Sequence, residues 1–130
     1  MARPKGGSWT SRWYRTKAST AYAKGDFLMS DATDIIVGTS AATNLVGICD
    51  TTKAAADTGT GRVKVLCPRD KSATLEAATT GTFTAALEGR RVDLSDGTTV
   101  AVTSTTYKVL TVVKFLSSTL GEFAINDPIT

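Results

Sequence analysis

Eight side chains near the start of the chain have the chemistry of binding. Arg3, Lys5, Arg12, Arg15 and Lys17 are cations, and Trp9, Trp13 and Tyr14 are aromatic. From Met1 to Lys24 there are six basic residues and no acid, whereas the remainder has nine basic and twelve acidic residues, a net of −3. Trp, Tyr and Arg dominate interface hot spots because each buries a large area with little loss of rotamer freedom, about 2 kcal/mol or more when central. These residues are therefore expected to anchor a protein partner, with the arginines paired to its acids. Two other readings use the same residues. The tryptophans can fold back on their own domain with the charges solvated, or the cations can contact phosphates while Trp stacks on bases. Against the last, the rest of the chain is net negative and no basic, aromatic stripe continues past Lys24.

Catalytic chemistry has little support. The sequence has no histidine, which removes the commonest general base and the commonest metal ligand together. Cys49 and Cys67 each end a strand-like run and read as buried thiols acting as small hydrophobes; two cysteines without histidine do not make a zinc site. A disulfide between them requires Cα atoms within about 7 Å. Asp26, Asp31 and Asp34 have carboxylates suited to calcium, but their spacing matches no known loop. Neither a Gly-x-Ser-x-Gly elbow nor a Gly-rich phosphate loop is present. No catalytic residue, cofactor or metal is expected.

The elements that position these residues are short. At 130 residues and 42% hydrophobic content, the chain has room for one modest core. Aromatics are few, so Val, Leu, Ile and Ala must fill it. Abundant Thr suits strands with a polar outer face. Pro4, Gly6 and Gly7 discourage a helix at the start, while the four-residue spacing of Trp9 and Trp13 predicts a helical turn over Ser8–Lys17. From Ser19 onward, strand-like runs alternate with turns: Thr20–Ala23, Asp26–Met29, Ile35–Val37, Leu45–Cys49, Arg62–Cys67, Ser72–Glu76, Arg91–Leu94, Thr98–Val102, Tyr107–Phe115 and Glu122–Ile125. Asp50–Gly61 reads as a loop or hairpin tip with room for a helical turn at Lys53–Ala56. Phe83–Leu87 reads as a helical turn ended by Gly89, and Asp96-Gly97 as a hairpin turn with positive φ. The expected fold is all-β: residues 1–18 form a basic aromatic arm, ordered by what it binds, on a barrel-like or sandwich-like body over 19–130. No apolar run is long enough to span a bilayer, and no apolar stretch follows the basic start as in a signal peptide. The expected product is cytoplasmic.

The body resembles the small cement, or head-decoration, proteins of tailed bacteriophages from about Ser19 to Asn126. The resemblance rests on Lys24-Gly25-Asp26-Phe27, then Val46-Gly47-Ile48, then Gly61-Arg62-Val63-Lys64-Val65. Gly89-Arg90-Arg91-Val92-Asp93-Leu94 with its Asp-Gly turn follows, then a long apolar strand and Glu122-Phe123-Ala124-Ile125. It implies a structural virion protein on the outer surface of the expanded capsid, often trimeric, whose partners are the major capsid protein and copies of itself. It implies no catalytic residues. The arm matches no general pattern of that family. A tail-tube, connector or fibre-base subunit, and a nucleic-acid-binding module, are the competing expectations.

Overall fold

The computed structural model describes residues 2–31, 33–54 and 61–126. Among these, eleven strands form: β1 Arg3–Gly6, β2 Trp9–Arg15, β3 Phe27–Asp31, β4 Asp34–Val37, β5 Leu45–Cys49, β6 Arg62–Pro68, β7 Thr74–Thr80, β8 Arg91–Leu94, β9 Thr99–Ala101, β10 Leu110–Ser117 and β11 Leu120–Ile125. The all-β expectation is borne out. One sheet runs β7-β11-β10-β8-β9 and closes when β9 returns to pair with β7 in parallel, making a five-stranded barrel. β1 lies on the part of β7 that β9 leaves uncovered, opposite Thr74 to Glu76. The second sheet has the order β2-β6-β5-β3-β4. It curls until its two ends meet at a bridge between Thr16 and Ile35.

Strand alternation gives the second sheet two buried faces. Phe27, Leu45 and Ile48 face the barrel and join Leu75, Val92, Leu110 and Phe123 in the larger core. The alternate residues Leu28 and Cys49 turn the other way, with Val63, Val65, Cys67, Ile35 and Tyr22, to form a smaller second core. Where the β5–β6 pairing begins the backbones approach closely: a Cβ on Gly47 would lie 2.2 Å from the Leu66 carbonyl oxygen. Only glycine fits there.

Residues 3–15 do not stand away from the body. β1 pairs with β7, and β2 pairs with β6 over its whole length, from Trp9↔Pro68 to Arg15↔Arg62. The helical turn expected over Ser8–Lys17 is therefore a strand. A spacing of four puts Trp9 and Trp13 on one face in either conformation, and seven ladder positions outweigh a turn that is marginal alone. Other boundaries shift as well. Thr20–Ala23 makes only a bridge, between Tyr22 and Lys53. β7 begins at Thr74 and β10 at Leu110. The turn expected at Phe83–Leu87 is a 3-10 turn at Ala85–Leu87, and Gly89 follows it at φ +88°. The turn at Lys53–Ala56 lies partly outside the described residues.

The β8–β9 hairpin forms where expected, with Leu94 opposite Val100, but not for the expected reason. Neither Asp96 nor Gly97 has positive φ. The Asp96 carboxylate instead accepts from the N–H groups of Thr98 and Thr99 at 2.8 and 2.9 Å. Gly97 is required by closeness, because a Cβ there would lie 2.3 Å from Val37 Cγ1.

One buried carboxylate orders the connection from β9 to β10. Asp93 accepts from the Ser104 hydroxyl at 2.7 Å and from the N–H groups of Thr106, Tyr107 and Lys108 at 3.0, 2.7 and 2.7 Å. Burial alone would raise its pKa, but these four donors outweigh it and hold the carboxyl below the usual range. Its contribution is present above the ordinary Asp range and is lost as pH falls through the depressed value. Asp93→Ala strands three backbone donors and is expected to cost about 3 kcal/mol in urea unfolding; a loss under about 1 kcal/mol would show that the loop is held by other contacts.

Candidate docking surface on the first two strands

The basic front is neutralised largely within the molecule. Arg3 and Lys5, on the same face of β1, both donate to Glu76 on β7, at 2.8 and 3.0 Å. Hydrogen bonds from Lys5 and Arg3 hold the Glu76 carboxyl below its ordinary value. Ala2 is buried just before them, and its N–H donates to the Gly25 carbonyl at 3.0 Å. Arg15 meets Asp34 at 3.0 Å where the two ends of the second sheet converge, and Lys17 reaches Asp31 at 3.9 Å. Lys24 and Lys64 share Asp50 at 3.9 and 3.5 Å. The exposed pairs are individually weak, about 0–1 kcal/mol. Together they match the sign of the front to the sign of the body.

Asp31 and Asp34, candidate calcium ligands by residue type, are thus engaged by cations. Asp26 accepts the Ala23 N–H at 3.0 Å in the turn before β3. Among the described residues no three His, Cys, Asp or Glu side chains converge on one point.

The aromatic residues divide between core and solvent. The Trp9 indole N–H donates to the Gly6 carbonyl at 3.0 Å, and its ring packs against the larger core. Tyr14 packs against the second core with its hydroxyl 3.9 Å from Cys67 Sγ. Burial, then the neighbouring Cys67, push the Tyr14 pKa up, and Arg12 opposes the rise. Cys49 and Cys67 are free, buried thiols on adjacent strands, both raised in pKa chiefly by burial. Trp13 is different: it is 58% exposed, the most exposed large hydrophobic among the described residues. Arg12 is exposed beside it and meets no carboxylate within ion-pair distance among the described residues.

Of the eight expected anchors, the fold engages Arg3, Lys5, Trp9, Tyr14, Arg15 and Lys17 internally and leaves Trp13 and Arg12 exposed, Arg12 beside the Tyr14 hydroxyl but without a carboxylate partner among the described residues. Each lies over a groove on its own side of β2. The groove on the Arg12 side, about 450 Å³, also has Thr10, Val46 and Arg69 in its walls. That on the Trp13 side, about 360 Å³, includes Lys53 and Arg62. Arg62 and Arg69 are additions to the set read from the sequence. The outward position of Arg62 follows from the alternation of β6, but its nearness to Trp13 depends on the β2–β6 pairing, for which no local signal exists. Arg90 and Arg91 are exposed at the start of β8, in the other sheet.

No protein-family model matches this chain, and no curated protein matches it.

The division of the two tryptophans is directly measurable. Trp9→Ala is expected to lower unfolding free energy by about 2 kcal/mol, and Trp13→Ala by less than about 0.5 kcal/mol; equal losses would place both rings in the core. The Glu76 clamp is present above the ordinary Glu range and is lost as pH falls through the depressed pKa. The amide resonances of Arg3, Lys5 and Gly6 should therefore begin to move only at pH below the ordinary Glu range. Glu76→Gln should move them already at neutral pH, and unchanged resonances in that variant would remove Glu76 from the account.

Proposed function

We propose that this protein is a structural component of a tailed-phage virion, bound to the outside of the expanded capsid, where it braces neighbouring shell subunits. The observation that carries this reading is the exposed Trp13 beside an uncompensated Arg12, in a front whose other cations are matched internally. The resemblance to cement proteins supports it. The residues of that resemblance occupy scaffold positions. Gly25 turns at φ +93°, Phe27 is wholly buried, Gly47 permits the close approach of β5 to β6, and Gly89 turns at φ +88° ahead of β8. A resemblance made of scaffold residues fits a protein that works by its shape and surface.

The mechanism is area and avidity. A rigid all-β platform presents its anchors already ordered, so docking loses little conformational entropy. Trimeric assembly would multiply each weak contact, because once one subunit docks the others bind intramolecularly. Rupture or further expansion of the shell must then break these contacts together.

Purified protein mixed with expanded heads should co-sediment with them and raise the temperature at which they rupture. Trp13→Ala should weaken attachment about tenfold or more, as expected of a central aromatic anchor. Absence of wild-type attachment, or location of the protein in the tail, would overturn the capsid reading. Full attachment by the variant would move the interface elsewhere on the body.

A further inference from the structure

β2 has an open edge. The Thr16 N–H donates to the Gly61 carbonyl at 2.9 Å, and the Arg69 N–H to the Ser8 carbonyl at 3.0 Å. Within the register between these bonds, the even-numbered residues of β2 exchange hydrogen bonds with β6. Ser11 and Trp13 therefore turn their N–H and C=O groups away from β6. Among the described residues no strand pairs there; β4 approaches only the end of β2, through the Arg15–Asp34 ion pair and the bridge from Thr16, just past β2, to Ile35. Ser11, Arg12 and Trp13 are all exposed. An unpaired row of donors and acceptors is a template for an added strand.

The two faces flanking this edge differ. Arg12 points to the side that also holds Arg69, and neither has a carboxylate within ion-pair distance among the described residues. Trp13 points to the opposite side, where its indole is the exposed apolar surface and Lys53 and Arg62 line the same groove. A strand laid against the edge alternates its side chains between the same two sides. We infer that the open edge of β2 accepts an extended segment of alternating acidic and apolar residues. Its acids lie on the Arg12 and Arg69 side, and its apolar residues lie against Trp13. The assignment of that segment to a capsid polypeptide rests on the reading above. A second copy of this chain is a poorer occupant, because the antiparallel register that sets Ser11 opposite Trp13 brings the two Arg12 side chains face to face, and it offers no carboxylate from β2 to meet them.

The test uses the full chain and a capped ten-residue peptide of alternating Glu and Val. The amides of Ser11 and Trp13 should gain at least tenfold protection from hydrogen exchange, and the affinity should fall with rising salt. Ser11→Pro removes one outward donor while leaving the bonds to β6, and it should weaken binding at least tenfold, as should Arg12→Ala. Equal binding of a Lys–Val peptide, stronger binding of a thymidine oligonucleotide, or wild-type affinity in Ser11→Pro would each overturn strand addition. If Ser11→Pro does not fold, the protection of the wild-type Ser11 and Trp13 amides decides alone, and its absence overturns the proposal. Peptide binding without attachment to heads would keep the edge site and remove the capsid as its partner. Attachment to heads that is unaffected by Ser11→Pro would do the reverse.

Discussion

The antiparallel ladder between β2 and β6 is the contact on which the rest of the structure depends. It aligns seven residues of the front with Arg62–Pro68 and completes the second sheet. It brings Tyr14 against Val63, Val65 and Cys67, sealing the smaller core. It carries the chain end of β2 to β4, where Arg15 and Thr16 meet Asp34 and Ile35. In the other direction it delivers Gly6-Gly7 and β1 to β7, so the first fifteen residues tie the curled sheet to the barrel. The same ladder also determines which side chains remain outward, because a one-residue slip would exchange the two faces of β2.

Charge follows from that geometry. A front with six cations and no acid suggests, in the sequence, a segment seeking an external acidic partner. In the fold, Glu76, Asp34, Asp31 and Asp50 supply much of the complement. The imbalance is largely an internal docking signal between the front and the body. Its remainder, Arg12, lies on the stretch of β2 edge that has no strand partner among the described residues, with Arg69, just past the end of β6, on the same side of the sheet. The proposed docking surface is thus what internal pairing leaves over, and it is smaller than the arm as a whole.

Much of the body was legible from local patterns. Leu45–Cys49 and Arg62–Cys67 are apolar or alternating runs bounded by turn residues, and both are strands within a residue of their expected limits. The β8–β9 hairpin was legible too, although its turn is held by the Asp96 carboxylate and by a close approach to Val37 rather than by positive φ. What local patterns do not contain is long-range pairing. Trp9 and Trp13 have a spacing compatible with helix and strand alike, and only the presence of β6 decides. For the same reason the separation of Trp9 from Trp13 into core and solvent was hidden, as was the nearness of Arg69 to Arg12. The residues of the resemblance mark turns at Gly25 and Gly89, a close approach at Gly47 and buried strand positions such as Val63, Val92 and Phe123, so they carry information about the scaffold and none about a site.

The central claim is that the front is a built-in pair of strands in the free protein, not an arm awaiting a partner. Amide hydrogen exchange on the isolated monomer tests it most directly. The account predicts that Thr10, Arg12 and Tyr14, whose N–H groups bond to β6, exchange as slowly as the strands of the body, while Ser11 and Trp13 exchange fast. Uniformly rapid exchange from Trp9 to Arg15, with the body protected, would contradict it.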